Sequence, residues 1–433
     1  MSRFGLLLSA HALANLGDGI GKVALPLLAT TLTRDPALIA GLSAAQFLPW
    51  LVCALPAGVL LDRVNRSRAA AAANAARALL IGGLAVLVAA GAAGMWTVYL
   101  TAVLLGAAET VADTASNALV PAVVQDGRLD HANSKLQSAE TLGQNFAGGP
   151  AGSLTFAVFA ALPLLLNSAG FAVAAVLLLG VKAGRPPAPG GAPPQTVLSE
   201  LREGLRWIRD SPLLLRLILL IGAASVVYEL ALAQLVLYAL EHLRLSESAF
   251  GLFGAVGGIG GLAGAALAPK LIARWGRRAA LTGGLLAAGA CFTAMGMTHD
   301  PVLASVVYGM FGVPVMAVNV VSATVRHTAV PERYLGRVLG AWRTVVFGVI
   351  PLGALAGGLI AKATSETAAV YVVSGVLQLV LAGVAGLALR RFGPGLNPGP
   401  SSVRVHTDGS GNRTSRAGPA AEGAVPSERA DSP

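Results

Sequence analysis

The sequence predicts an all-α integral membrane protein with twelve transmembrane helices in two pseudo-symmetric halves of six. The first observation is composition: 55% of the 433 residues are hydrophobic and 12% are charged, whereas soluble domains carry about 25% charged residues. The second is a mean hydropathy of +0.69. The third is that the apolar residues form long uninterrupted segments, and a helix of about 20 apolar residues crosses the hydrocarbon core of a bilayer.

Twelve apolar segments follow one another along the chain. Their high glycine and alanine content favours close packing of helices in lipid, where small residues let backbones approach each other. The segments cover residues 5–32, 38–61, 69–93, 96–120, 134–157, 160–181, 213–240, 249–272, 279–298, 301–325, 338–362 and 367–390.

The loops between these segments differ in charge, which predicts the orientation in the membrane. The odd-numbered loops hold only Arg34 and Arg244, and Lys362 lies at the edge of the eleventh segment. Because basic loops stay in the cytoplasm, we expect the even loops and both termini on the cytoplasmic side of the plasma (inner) membrane. The basic residues of the even loops are Arg63, Arg66, Arg68, Arg128, Lys135, Lys182, Arg185, Arg202, Arg206, Arg209, Arg274, Arg277, Arg278, Arg326, Arg333 and Arg337.

Composition and motifs argue against several other classes of protein. The net charge is +10, but the basic residues are dispersed over short loops, so we expect no nucleic-acid partner. Cys53 and Cys291 lie inside apolar segments, and the six histidines show no metal-ligand spacing, which predicts neither a disulfide framework nor a metal site. There is no Gly-x-x-x-x-Gly-Lys-Ser/Thr loop. We therefore expect no cofactor and no enzymatic activity, and a monomer is the expected state.

The two halves of the chain resemble each other around their short loops. Arg63-Val-Asn65-Arg66 and Arg274-Trp-Gly276-Arg277 each join the second and third segments of a half. Parallel six-helix repeats of this kind are the plan of rocker-type transporters. We predict an N-terminal half at residues 1–181, a cytoplasmic linker at 182–211, a C-terminal half at 212–391 and a disordered cytoplasmic tail at 392–433.

The linker is predicted to contain an amphipathic helix. Leu201, Leu205 and Ile208 share one helical face, and arginines occupy another. Such a helix is expected to lie on the inner leaflet.

One charged hairpin carries the most specific motif. Gly58-x-x-x-Asp62-Arg63-x-Asn65-Arg66 resembles the Gly-x-x-x-Asp-Arg-x-Gly-Arg-Arg signature of the major facilitator superfamily, with Asn65 in place of glycine. Asparagine tolerates the left-handed conformation, so the turn is expected to persist. The resemblance implies that this gating motif braces the two halves, with Asp62 near the start of the eleventh segment and Arg66 paired to an acid of the fourth, for which Asp113 is available. The alternative is that these charges only set the topology.

Two glycine–proline elements strengthen the resemblance. Gly149-Pro150-Ala-Gly152 in the fifth segment is similar to the element of exporters in the superfamily, and Pro351-Leu-Gly353 is its counterpart in the eleventh. Proline in a membrane helix removes a backbone hydrogen bond and permits bending. Together, these motifs resemble those of the superfamily branch that contains enterobactin exporters and macrolide-efflux proteins.

Five acidic residues within the segments are candidates for proton coupling or substrate contact. A carboxylate inside a bilayer is costly, so acids there are candidates for function. Asp18 is followed four residues later by Lys22, which could make it a static ion pair instead. Arg77 and Arg343 are possible counter-ions. The five acids are Asp18, Glu109, Asp113, Glu140 and Glu229.

These features and the resemblance together predict a secondary transporter. We expect it to export an amphipathic small molecule such as a drug, antibiotic or siderophore by alternating access in exchange for protons, and thereby to contribute to multidrug resistance. The alternatives are an importer or facilitator of a polar metabolite, and a non-transporting receptor or enzyme on the same fold.

Overall fold

The computed structural model describes residues 2–124, 129–181 and 197–390, and these residues form helices and short connections without a β-strand. The linker 182–196 and the tail 391–433, about which the sequence makes predictions, lie outside the described residues. Two π-helical turns occur at Leu142–Gly148 and Tyr238–His242. The α-helices are α1 Arg3–Leu32, α2 Pro36–Arg63, α3 Arg66–Ala89, α4 Met95–Val123, α5 Leu129–Thr141, α6 Gly149–Val158, α7 Leu162–Leu179, α8 Val197–Asp210, α9 Pro212–Leu232, α10 Leu235–Leu237, α11 Glu247–Met297, α12 Pro301–Ala329, α13 Glu332–Gly348, α14 Ile350–Thr364 and α15 Thr367–Ala388.

The all-α membrane fold is confirmed. Within the described ranges, nine helical segments are long and apolar enough to cross a membrane. One of them, α11, has 51 residues, about 76 Å at 1.5 Å per residue, and so contains two of the predicted spans. The predicted segments 5–32 and 134–157 are helical as well but do not meet the same criterion. The number of twelve spans therefore stays a prediction.

Irregular backbone occurs at the predicted glycine and proline elements. The first π-helical turn ends at Gly148, directly before Gly149 and Pro150. In the second half, α13 ends at Gly348 and α14 begins at Ile350, so Pro351 lies in the first turn of a new helix. Proline needs no hydrogen-bond acceptor in a first turn. Both elements thus coincide with breaks in regular α-helix.

The two related hairpins have different backbones. Asn65 has φ −69° and ψ 114°, and its side chain accepts a hydrogen bond from the Arg68 N–H at 3.1 Å. It is therefore the N-cap of α3, and the expectation of a left-handed turn is wrong, because an N-cap needs extended backbone. Gly276 in the second hairpin has φ 78° and bends α11, a conformation that glycine adopts without steric cost.

Close contacts join elements of the two predicted halves. A methyl group at Gly358 on α14 would lie 2.6 Å from Cβ of Ala40 on α2. On the other side of the bundle, Ser153 Oγ on α6 donates to the Ser248 carbonyl of α11 at 3.1 Å. Small residues at both positions allow the helices to approach closely.

The amphipathic helix α8 lies against protein. Ile208 is 2% exposed and belongs to a core cluster with Val338 and Trp342 of α13. Arg337 on α13 forms an ion pair with Glu203 at 2.7 Å. Of the predicted apolar face, Ile208 and Leu201 pack in this cluster, whereas Leu205 is 39% exposed. Contact of the helix with the inner leaflet stays a prediction.

Candidate transport site

Among the first-half residues whose burial is described, Arg77 is the most buried charged residue. Its side chain is 1% exposed and forms an ion pair with Asp18 of α1, which is 11% exposed. Its guanidinium carbon lies 3.9 Å from the ring centroid of Phe171 on α7. A third partner is Asn74, whose Oδ1 lies 3.4 Å from Nη1 of Arg77. These contacts fix one guanidinium between three helices.

The ion pair differs from the one suggested by local spacing. Asp18 pairs with Arg77 of α3, whereas Lys22 donates a hydrogen bond to Gln144 in the first π-helical turn. Gln144 Nε2 in turn donates to Oδ1 of Asn15 at 2.6 Å. The amide of Gln144 thus joins the first π-helical turn to α1 by two hydrogen bonds.

Two further carboxylates face this ion pair from α4. Glu109 and Asp113 are one helical turn apart, and both lie within electrostatic range of Asp18 and Arg77. Asp113 and Asp18 line one small cavity. Three acids therefore lie around one buried guanidinium, and His11 lines the same small cavity as Asp18, Arg77 and Asp113. We call Asp18, Arg77, Glu109 and Asp113 the charged cluster.

The second half contains a group of aromatic rings in its interior. Tyr228 of α9 stacks on Phe311 of α12, with centroids 5.8 Å apart and planes at 12°. Phe292 of α11 lies 4.5 Å from Phe311 and 6.1 Å from Tyr371 of α15. We call these four residues the aromatic cluster. Sequence reasoning missed it, because its members come from four helices and share no spacing.

Glu229 adjoins the aromatic cluster. It follows Tyr228 on α9 and is 5% exposed. Gly353 of α14 packs beside it, since a methyl group at Gly353 would come within 3.1 Å of Cβ of Glu229. The glycine of the second glycine–proline element thus leaves room for this carboxylate.

The remaining predicted residues lie around these clusters. Glu140 of α5 is within electrostatic range of Asp113. Arg343 of α13 is exposed and lies 5.7 Å from the ring centroids of both Trp50 and Phe347. It is also within electrostatic range of Asp113. Neither residue belongs to the charged cluster itself.

The structure describes the gating motif only in part. The surroundings of Gly58 and the side chains of Asp62 and Arg63 are not described, although the backbone of all three belongs to α2. Arg66 Nη1 donates to the Ala118 carbonyl of α4 at 3.3 Å. Arg66 therefore contacts the expected helix, and its pairing with Asp113 stays a prediction.

A bundle of membrane helices with buried charges and with close contacts between two sets of helices is the architecture expected of a membrane transporter. The family model of the Major Facilitator Superfamily matches residues 7–353. The chain belongs to this superfamily, and it is a multi-pass membrane protein with a small-molecule substrate.

Several known proteins are similar to the chain. The multidrug efflux pump Tap of Mycolicibacterium fortuitum is 26% identical over 401 residues, which cover 89% of this chain and 95% of Tap. The nucleoside transporter NupG (D323A mutant) is 14% identical, with a TM-score of 0.74 over 89% of this chain and 100% of that structure. A bacterial homologue of the iron transporter ferroportin is 18% identical, with a TM-score of 0.69 over 89% and 98%. At these identities the two structures show the fold alone.

Proposed function

We propose that the protein exports an amphipathic small molecule across the plasma membrane by alternating access in exchange for protons. The predicted halves 1–181 and 212–391 would rock against each other, with both termini in the cytoplasm. The similarity to Tap, which is named a multidrug efflux pump, supports the choice of substrate class. The observation that supports proton coupling is the charged cluster.

The charged cluster has more acids than bases. Asp18 is neutralised by Arg77 through direct contact. Glu109 and Asp113 have no such partner among the described residues, and a bare carboxylate inside a membrane is costly. A carboxyl group that binds a proton becomes neutral and no longer has this cost. A cation in the cavity would likewise compensate its negative charge. We therefore assign proton binding to Glu109 and Asp113, and a positioning role to the Asp18–Arg77 pair.

The aromatic cluster suits the other half of an exchange cycle. Aromatic faces bind flat apolar groups and attract cations. Glu229 adds a buried polar group next to Tyr228 on α9. An amphipathic molecule with an aromatic or aliphatic body suits these side chains once the packed rings separate to admit it, whereas a sugar or other highly polar metabolite would find few hydrogen-bonding partners here.

Contacts between the halves indicate which end is closed. Lys362 of α14 forms an ion pair with Asp35 at the start of α2 at 2.6 Å, and Arg34 pairs with Glu241 at 3.5 Å. Gln234 Nε2 donates to the Pro36 carbonyl at 3.1 Å. All three contacts lie at the end of the odd-numbered loops. With the orientation proposed above, this arrangement is an inward-facing one.

The test uses purified protein in vesicles with an imposed pH gradient and the lipophilic cation ethidium as the probe. We expect the gradient to drive ethidium movement, and Glu109→Gln to abolish that dependence while ethidium still binds. Glu366→Gln is the matched control, since Glu366 is exposed at the start of α15. Transport by Glu109→Gln with the pH dependence of the unmodified protein would refute the assignment, and ethidium movement independent of the gradient would favour a facilitator.

A further inference from the structure

A groove of about 550 Å³ lies between α1 and α5, outside the clusters described above. Leu8, Ala12 and Leu16 form the wall on α1, and Ala139 and Leu142 form the wall on α5 and the first π-helical turn. This volume lies within the range of small-ligand sites, about 300–1,000 Å³.

The groove is closed at one end and basic at the other. Beyond Leu142, α1 meets the π-helical turn so closely that a methyl group at Gly148 would lie 2.5 Å from Cα of Gly19. At the opposite end, near the start of α5, the lining residues are His131, Ser134 and Lys135. The groove thus has an apolar blind end and a basic, hydroxyl-bearing mouth.

The groove faces away from the charged cluster. Glu140, which is within electrostatic range of Asp113, follows Lys135 by five residues. At about 100° per residue the two side chains lie roughly 140° apart around α5. Leu142 is 58% exposed, so the groove is open on this side and an occupant can enter it there.

We infer that this groove binds an anionic phospholipid of the cytoplasmic leaflet. The phosphate lies between Lys135 and His131, and one acyl chain runs along Leu8, Ala12 and Leu16 towards the blind end. Lys135 is exposed and forms no ion pair with a described residue. Basic pockets between membrane helices on the cytoplasmic side are typical sites for anionic head groups.

Length and charge favour a lipid over a cationic amphiphile. From Lys135 to Ala147 the lining of the groove extends over twelve residues, about 18 Å of helix, which is close to one leaflet of a hydrocarbon core of about 30 Å. The lining contains basic and hydroxyl side chains and no acid. A cationic amphiphile would meet repulsion at this mouth. The inference uses the proposed orientation of the chain but does not depend on export.

The experiment is native mass spectrometry of the full-length protein, delipidated and titrated with phosphatidylglycerol or phosphatidylcholine. We expect phosphatidylglycerol to bind more tightly. Lys135→Ala should weaken it about fivefold, as expected for one lysine near an anionic head group, with phosphatidylcholine unaffected. Lys270→Ala is the control, because Lys270 is an exposed lysine of α11 outside the groove.

A second variant tests the acyl-chain path without a change in charge. Ala139→Leu fills the groove and should reduce binding of both lipids, while thermal unfolding reports that the protein is folded. Equal affinity of the two lipids for the unmodified protein would overturn the inference. So would unchanged phosphatidylglycerol binding in both variants, or loss of ethidium binding in Ala139→Leu with lipid binding unchanged. Failure of ethidium transport alone would bear on the proposed function and leave the lipid site intact.

Discussion

The two halves of the transporter have related frameworks but different interiors. In the first half, Arg77 and three carboxylates occupy the space between α1, α3 and α4. In the second half, the rings of Tyr228, Phe292 and Phe311 fill the space between α9, α11 and α12. Charges respond to protons and rings do not. Under the proposed function, coupling is therefore assigned to the first half and recognition of an apolar substrate to the second.

Removal of the central guanidinium is expected to have the largest effect. Arg77→Ala leaves Asp18 buried without its partner, and loss of one member of a buried pair costs about 3–5 kcal/mol. Thermal unfolding in detergent should show strong destabilisation, with partial recovery in the double variant Asp18→Asn/Arg77→Gln. Arg343→Ala, which alters an exposed arginine of the second half, should change stability by less than about 0.5 kcal/mol. Equal stability of Arg77→Ala and the unmodified protein would remove the argument for a charged cluster.

Sequence reasoning found the members of this cluster but not their partners. The acids stand out because charges are rare in apolar segments, and each is visible on its own. Asp18 and Arg77 are 59 residues apart, so their pairing depends on how α1 packs against α3. The i to i+4 spacing of Lys22 suggested a nearer partner, but Gln144 holds that lysine instead. Local spacing cannot decide between two partners when one of them comes from another helix.

The same limit applies elsewhere in the chain. The apolar segments and the glycine–proline breaks follow from local composition and were predictable. The docking of α8 on α13 was not, since an apolar helical face fits a bilayer and a protein surface equally well. The cap formed by Asn65 was not predicted either, because the motif directed attention to a left-handed turn and not to the start of α3. The aromatic cluster combines rings from four helices and left no pattern in the sequence.

The contact between the halves at α6 and α11 gives the next largest effect. A methyl group at Gly251 would lie 2.8 Å from the carbonyl carbon of Gly149, whereas none would meet an atom within 4 Å at Gly254. Gly251→Val should therefore disfavour this conformation by about 1–3 kcal/mol, a shift of roughly 5- to 150-fold in population. Ethidium transport should fall accordingly, with Gly254→Val near the unmodified rate. Similar rates in both variants would show that the helices separate at this point without functional consequence.

The charged hairpins offer a direct comparison of the halves. The first has Asp62, and Ala273 stands at the related position of the second. If the first hairpin braces the halves, Asp62→Asn should slow transport about fivefold, as expected for loss of one partly exposed ionic contact of about 1 kcal/mol. Ala273→Asn should have little effect. Equal transport rates in the two variants would mean that the hairpin motif serves only as a signal for membrane orientation. Labelling of the termini in intact cells would then test that orientation.

The smallest effect is expected at the odd-loop end, where Lys362 holds Asp35. The hydrogen bond from the Lys362 ammonium, followed by the one from the Ala37 N–H, lowers the pKa of the Asp35 carboxyl. A lowered pKa means that the pair stabilises closure above the ordinary aspartate pKa of about 3.9. That contribution is lost as the pH falls through the depressed value.

Lys362→Ala should therefore increase opening at this end at neutral pH, by less than about fivefold because the pair is partly exposed. The measurement is the rate at which an impermeant maleimide labels a cysteine placed at Leu38, which is 41% exposed. The variant and the unmodified protein should converge in acid, as the pH falls through the depressed pKa of the Asp35 carboxyl in the unmodified protein. A difference that persists undiminished in acid would mean that Lys362 acts through the packing of α14 on α2 and not through the Asp35 carboxylate.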